Sequence, residues 1–377
     1  MKKICFLAAV PVSVDVFLTD IIQQSSKVYK VKVVSHPSGK ELLSKLNAEY
    51  VPLVIERKPA PYSDLIALIK LIYFFRKERF DLVHSITPKT GLLTMLAACI
   101  TLTPIRVHTF TGQVWLNKHG YKRFLLKFLD KLIVACSTHL LVDSPSQRDF
   151  LIKEGVLSSN QSNVFGKGSI CGVDTDVFKF NLYDRKLIRD SLFIDDDKII
   201  ILYMSRLTRQ KGILELAEAF SRVADKHANV YLYVIGSEEN VSFSEVLEKC
   251  GQHKNRVLRL NYTNIPASHL SASDILCLPS HMEGFGQVLV NASACQIPIV
   301  ASRIYGITDA VDNNVTGLLY RVGDIEELFI SLLKLIEDKS LRTQMGISGR
   351  ERVLNYFDKN IITKMTLDFY EEQLRSV

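Results

Sequence analysis

The stretch ILCLPSHMEGFGQVLVN, residues 275–291, decides the fold. Its first four residues are all apolar, which is the length and composition of a strand buried on both faces. A loop follows that holds one carboxylate, Glu283, and two glycines, Gly284 and Gly286, around Phe285. From Gln287 the pattern becomes an apolar helix that carries Asn291. A strand, a glycine-bearing loop and a helix in this order make an anion site: glycine lets backbone N–H groups approach a phosphate, and the helix N-terminus adds partial positive charge. A plain strand-to-helix turn needs one glycine, so the second glycine and the carboxylate point to binding. Glu283 is placed to accept hydrogen bonds from sugar hydroxyls.

The same alternation runs along the whole chain. Short apolar runs occur at residues 3–10, 32–35, 81–85, 105–109 and 140–143, and again at 199–204, 230–235, 257–260, 275–278 and 297–301. Alternating strands and helices predict parallel sheets covered on both faces, with ligands beyond the carboxyl ends of the strands. A chain of 377 residues exceeds what one core accommodates, and the two series of runs divide it into two doubly wound α/β domains. Residues 166–180 read as the connection between them. Two helices stand out in the front half. Residues 64–75 are rich in apolar side chains (Leu65, Ile66, Leu68, Ile69, Ile72, Tyr73) and run into Arg76-Lys77-Glu78-Arg79, charges that suit a helix C-terminus. Residues 121–135 repeat Phe124, Leu125, Phe128, Leu129 and Leu132 at helical spacing, with Lys122, Arg123, Lys127 and Lys131 along or beside that face. This second pattern reads equally as a core-facing helix with a solvated side and as a basic amphipathic helix on a membrane surface.

A second signal, YMSRLTRQKG at residues 203–212, follows the first strand of the back half. Arg206 and Lys211 lie five apart, so both reach a pyrophosphate from one loop. Arginine offers bidentate hydrogen bonds and lysine a compact charge, a pair suited to stabilising a departing nucleotide diphosphate.

With these stretches in place, the chain resembles glycosyltransferase family 4: retaining nucleotide-sugar enzymes of the GT-B fold, in which two Rossmann-like domains face a cleft. Further similarity lies in GSICGVD at 168–174, Tyr305-Gly306-Ile307 and NVTGLL at 314–319. TPKTG at 87–91 and TFTGQVW at 109–115 are similar to members that build bacterial capsule, O-antigen and glycoprotein glycans. The resemblance implies an acceptor-binding domain at 1–172, a nucleotide-sugar domain at 173–355, and a C-terminal helix at 356–377 packing back on the first domain. It implies catalytic roles for Arg206 and Lys211 on the diphosphate and for Glu283 on the hexose. Ser205, Gly236, Gly284, Phe285, Gly286, Gln287 and Asn291 are the implied donor contacts. Thr87, Lys89, Thr111, Gly112 and Gln113 are the implied acceptor contacts. Retention would follow a front-face path in which the leaving phosphate helps to deprotonate the acceptor hydroxyl, with no protein nucleophile.

The chain departs from the family pattern at named positions. Asn291 stands where the second glutamate of the donor motif is usual, and Gln296 where a glycine is usual. Thr111 precedes Gly112 where many members carry histidine, and His108, three residues earlier, does not inherit that role. Ala9-Val10-Pro11-Val12-Ser13 replaces the glycine-rich loop after the first strand. Asp174-Thr175-Asp176 fits the Asp-x-Asp pattern by which another fold holds a metal-bound sugar nucleotide, but it falls inside the segment similar to the interdomain loop. No metal site is expected.

Composition sets the remaining expectations. Seven widely spaced cysteines without a Cys-x-x-Cys pair read as buried thiols in a reducing cytoplasm. The apolar run at 91–105 is too short to span a bilayer, and the N-terminus reads as a buried strand rather than a signal peptide. Residues 1–178 hold 23 Lys and Arg against 14 Asp and Glu, a surplus of nine in a chain whose net charge is +7. That asymmetry suits an anionic membrane surface or a phosphorylated acceptor. The expected activity is transfer of a hexose or N-acetylhexosamine, N-acetylgalactosamine first, from a UDP-sugar to a polyprenyl-diphosphate-linked saccharide. The expected place is the inner face of the cell membrane, with no cofactor and no nucleic acid. A UDP-sugar epimerase on the same fold and a catalytically silent partner subunit are the rival readings.

Overall fold

The computed structural model describes residues 1–56 and 58–376. They form two compact units: residues 1–172 together with 359–376, and residues 173–358. The strands of unit one are β1 (Lys3–Leu7), β2 (Lys30–Ser35), β3 (Glu49–Pro52), β4 (Leu82–Ile86), β5 (Ile105–Phe110), β6 (His139–Val142) and β7 (Ser162–Asn163). Its helices are α1 (Pro11–Phe17), α2 (Thr19–Ser25), α3 (Lys40–Leu43), α4 (Pro61–Glu78), α5 (Pro88–Ile100), α6 (Gly120–Cys136) and α7 (Pro145–Lys153). Unit two has strands β8 (Ile199–Met204), β9 (Val230–Ile235), β10 (Val257–Leu260), β11 (Ile275–Leu278), β12 (Ile299–Ser302) and β13 (Gly317–Tyr320). Its helices are α8 (Leu182–Ser191), α9 (Ile213–Lys226), α10 (Phe243–Cys250), α11 (Pro266–Ala272), α12 (Gln287–Ala294), α13 (Ile307–Ala310), α14 (Ile325–Glu337) and α15 (Lys339–Tyr356). The final helix, α16 (Lys359–Arg375), belongs to unit one.

Both sheets are parallel, with orders β3-β2-β1-β4-β5-β6-β7 and β10-β9-β8-β11-β12-β13. In each, the strand order reverses beside the first strand, which places the ligand crevice at the carboxyl ends of β1 and β4 and of β8 and β11. The chain has the GT-B architecture of two Rossmann-like sheets. The apolar run expected at 3–10 leaves the sheet after Leu7, because Pro11 opens α1 and cannot donate to a ladder. The short strands β3, β7 and β13 carry no long apolar run, and β7 is two residues.

Burial follows the pattern of the sequence. On α9, Ile213, Leu216, Ala217, Phe220, Val223 and Ala224 recur at helical spacing and pack on β8 and β9. Phe220 is fully buried, and its truncation to Ala would cost about 3–5 kcal/mol. The chain enters and leaves unit two at neighbouring points, where the Val173 N–H donates to the Phe357 carbonyl at 2.7 Å. Beyond them α16 packs on α2, and the Tyr370 hydroxyl is hydrogen bonded to Nδ1 of His84 at 2.5 Å. All seven cysteines are free thiols, five of them buried. Among the described residues no helix is long and apolar enough to cross a membrane.

Candidate active site

Register builds the candidate donor loops of unit two. Ile199 to Met204 of β8 lie opposite Val230 to Ile235 of β9, so Ser205 and Gly236 emerge side by side. A Cβ on Gly236 would stand 1.8 Å from the Ser205 carbonyl oxygen, a contact that only glycine permits. After Ser205 the chain forms a single 3₁₀ turn, Arg209–Lys211, capped by the Thr208 hydroxyl, which accepts from the Lys211 N–H at 3.2 Å. Gly212 then starts α9 in the left-handed region, and a Cβ there would be 2.0 Å from the Pro279 carbonyl oxygen. The two motifs, 67 residues apart in sequence at these points, therefore touch through backbone.

That contact brings Lys211 and Glu283 together. Lys211 Nζ lies 2.5 Å from Oε1 of Glu283, and the Ser280 hydroxyl donates to the same oxygen at 2.8 Å. Both side chains are mostly shielded, at 18% and 12% exposure. Arg206 goes elsewhere: its guanidinium pairs with Glu239 on the surface, both groups more than a third exposed. Nothing in the sequence pattern signals that Arg206 has a carboxylate of its own. Gly286 is the N-cap of α12, and Gln287 and Asn291 follow on one face of that helix, with Nε2 of Gln287 donating to Oδ1 of Asn291 at 3.3 Å. Phe285 is buried, with its ring edge-on to Phe357, so only its backbone is available to a ligand.

One residue in this loop escaped sequence reasoning. His281 Nε2 sits 2.9 Å from Oε1 of Glu215, and the His281 N–H donates to the Gln210 carbonyl at 2.8 Å. The hydrogen bond to Glu215 raises the imidazole pKa above its ordinary value of 6.5. Burial pushes the Glu215 carboxyl up, but the bond from His281, a backbone hydrogen bond and the nearby His281 and Arg209 charges together outweigh it, and the net shift is downward. The clue was spacing: His281 is two residues before Glu283, and Glu215 four after Lys211.

The acceptor candidates lie in unit one at the carboxyl ends of β4 and β5. Thr87 precedes α5 with φ 70° and ψ 145°, a conformation costly for a β-branched residue. Its hydroxyl donates to that of Thr90, which accepts from the Ala9 N–H. Lys89 is held by Asp64 at 2.6 Å and by the Lys58 carbonyl, so its charge is already matched. Thr111 and Gly112 form the loop after β5, both half-buried. Gln113 turns inward at 1% exposure, its Nε2 donating to the Thr111 carbonyl, and Gln147 bonds both of them. Gln113 thus braces the loop. Trp115 anchors it, fully buried, donating from Nε1 to Asp130 at 2.6 Å and stacked on Phe150. Burial pushes the Asp130 carboxyl up to about 6, against that hydrogen bond. His108 is fully buried against Ser85 and Phe110, and burial depresses its pKa to about 3.

One expectation is redirected, that of a basic face on α6. Arg123 and Lys127 of α6 both bind Glu154, at 2.8 and 2.9 Å, and lie over Trp115, so only Lys122 and Lys131 face outward. Asp174 accepts from the backbone of Asp176 and Val177, while Thr175 bonds Asp358. Among the described residues no three His, Cys, Asp or Glu side chains are placed to hold a metal ion.

Residues 14–161 match Glycosyltransferase Family 4, and residues 184–352 match Glycosyl transferases group 1. The capsular polysaccharide biosynthesis glycosyltransferase CapM of Staphylococcus aureus is 33% identical over 377 residues, covering 99% of this chain and 98% of that one. The chain belongs to glycosyltransferase family 4. As a family 4 protein it is a glycosyltransferase. An Escherichia coli family relative, the UDP-Gal:alpha-D-GlcNAc-diphosphoundecaprenol alpha-1,3-galactosyltransferase, is 26% identical, covering 88% of this chain and 84% of its own. In fold, the chain is similar to Anabaena Alr3699/HepE, solved with UDP, at a TM-score of 0.82 with 20% identity over 99% of this chain and all of that one.

Proposed function

We propose that this family 4 enzyme transfers a hexose or N-acetylhexosamine, with retention, from a UDP-sugar to a saccharide carried on a polyprenyl diphosphate in bacterial surface polysaccharide biosynthesis. The observation that carries the reading is the contact between the two loops of unit two, which puts Lys211 and Glu283 in one shielded pair beside the N-terminus of α12. There a diphosphate meets Lys211, Arg206 released from Glu239, and the backbone N–H groups after Phe285. The hexose meets Glu283. Two side-chain cations supply the charge that a departing diphosphate needs, so the reaction runs without a metal ion. The leaving phosphate takes the acceptor hydroxyl's proton as the new bond forms on the same face, which needs no protein nucleophile. Galacto-configured donors, UDP-N-acetylgalactosamine and UDP-galactose, are the first to test, in keeping with the donor of the E. coli relative. The basic surplus of the front half suits attachment to the membrane face that presents such an acceptor.

Calorimetric titration of UDP tests the donor site. The wild-type protein is expected to bind UDP, and Lys211→Met to weaken that binding by about 30-fold or more, as for lost hydrogen bonds to a charged group. Equal affinity in the two proteins would place the diphosphate elsewhere.

A further inference from the structure

Helix α4 has two apolar faces. Ala67, Leu71 and Phe75 are buried against the sheet. On the other side Tyr62, Leu65, Ile66, Ile69 and Tyr73 are 80, 55, 37, 58 and 70% exposed. They recur at helical spacing and make a stripe about 16 Å long, at 1.5 Å per residue. The charged residues exposed on α4 are all basic: Lys70, Arg76 and Lys77, with Arg79 just beyond its end. Its carboxylates are engaged elsewhere, Asp64 with Lys89 and Glu78 with Lys32 and Lys3.

Helix α6 repeats the arrangement. Tyr121, Phe124, Leu125 and Phe128 are 74, 69, 40 and 53% exposed, beside exposed Lys122 and Lys131. Its one carboxylate, Asp130, is buried on Trp115. Helix α5 packs against both α4 and α6, so the two outward faces lie on the same side of the sheet of unit one. Single exposed apolar residues are ordinary, but nine on two such helices form a patch that calls for a partner.

The charge selects that partner. A second copy meeting this face about a two-fold axis would set Lys70, Arg76 and Lys122 against the same cations. An anionic bilayer matches both properties, since aromatic and aliphatic side chains enter the head-group boundary while lysine and arginine stay at the phosphates. We propose that the outward faces of α4 and α6 form one bilayer-docking surface, with Leu65, Ile69 and Phe128 below the head groups and Lys70, Arg76 and Lys122 on lipid phosphates. This rests on the membrane attachment proposed above and names the elements that achieve it.

The test is flotation of the full chain with vesicles of neutral phosphatidylcholine, and of phosphatidylcholine with about one-third phosphatidylglycerol, at low and high salt. The wild-type protein is expected to float with the anionic vesicles and to release as salt rises. Leu65→Gln with Ile69→Gln should lower binding at least tenfold. Lys70→Gln with Arg76→Gln and Lys77→Gln should lower it and remove most of the salt dependence. These positions face solvent, so UDP affinity should stay unchanged in both variants, which keeps the donor site's fate separate from that of the surface. Wild-type-like flotation of the Leu65 and Ile69 variant would overturn the assignment while leaving membrane attachment intact. A wild-type protein that ignores anionic vesicles would overturn both. A wild-type dimer in sedimentation velocity that the same variant dissolves would make a second copy the occupant.

Discussion

Replacing Glu283 with Gln should move UDP affinity and turnover in opposite directions. In the unliganded protein the Lys211 ammonium is neutralised by Glu283 at 2.5 Å, with both groups mostly shielded from water. A diphosphate must compete with that carboxylate for the same ammonium. An amide keeps the shape and one acceptor oxygen but removes the charge, and a charge-assisted hydrogen bond is roughly twice as strong as a neutral one. With a neutral amide bond worth about 1 kcal/mol and an ionic one about 2, Lys211 is released at a gain of about 1 kcal/mol, or roughly fivefold tighter UDP. Turnover should fall by about 10²-fold, because the carboxylate that accepts from the hexose is gone. Calorimetry with UDP and a steady-state transfer assay read the two effects on one protein preparation. If Glu283→Gln weakened UDP as much as Lys211→Met does, Glu283 would hold the nucleotide itself, and the competition between carboxylate and diphosphate would be wrong.

Arg206→Ala should lower turnover by about 10²-fold with little change in melting temperature, since its exposed pair with Glu239 contributes at most about 1 kcal/mol; a large loss of stability would make the residue structural. Asn291→Glu should tighten UDP by about 1 kcal/mol and Asn291→Ala should loosen it, as for a residue that clasps the ribose; an unchanged affinity across the series would remove Asn291 from the site. The His281 to Glu215 pair gives a pH signature. Its raised imidazole pKa means that the contribution is complete below pH 6.5 and is lost as pH rises through the higher folded value, while Glu215 stays ionised. Wild-type protein should therefore lose more stability between pH 6 and 8 than His281→Gln, by less than about 1 kcal/mol after solvent screening; parallel melting curves would refute the coupling.

The parallel α/β fold and the strands of unit two were legible because each rests on local pattern. The runs at β8, β9 and β11 carry uninterrupted apolar residues and the run at β10 is broken only by Arg259, and the expected bounds of all four agree with the structure. β3, with the sequence EYVP, and the two-residue β7 lie towards opposite edges of their sheet, where half the surface faces solvent and no apolar run is required. What the sequence could not show is which partner each charge takes. Arg206 with Glu239, Lys89 with Asp64 and Arg123 with Glu154 are all pairs distant in sequence, brought together only by folding. The outward stripe of α4 was hidden for a related reason: apolar residues at helical spacing look alike whether they face the core or the outside.

The most direct test of the central claim follows the anomeric carbon through a single transfer. Purified protein is incubated with UDP-N-acetylgalactosamine or UDP-galactose and a polyprenyl-diphosphate-linked saccharide, with and without EDTA, and the product linkage is read by NMR. We expect an α-linked product from an α-linked donor at the same rate in both samples. A β-linked product, a reaction abolished by EDTA and restored by Mn²⁺, or conversion of the UDP-sugar to its epimer without an acceptor would contradict it.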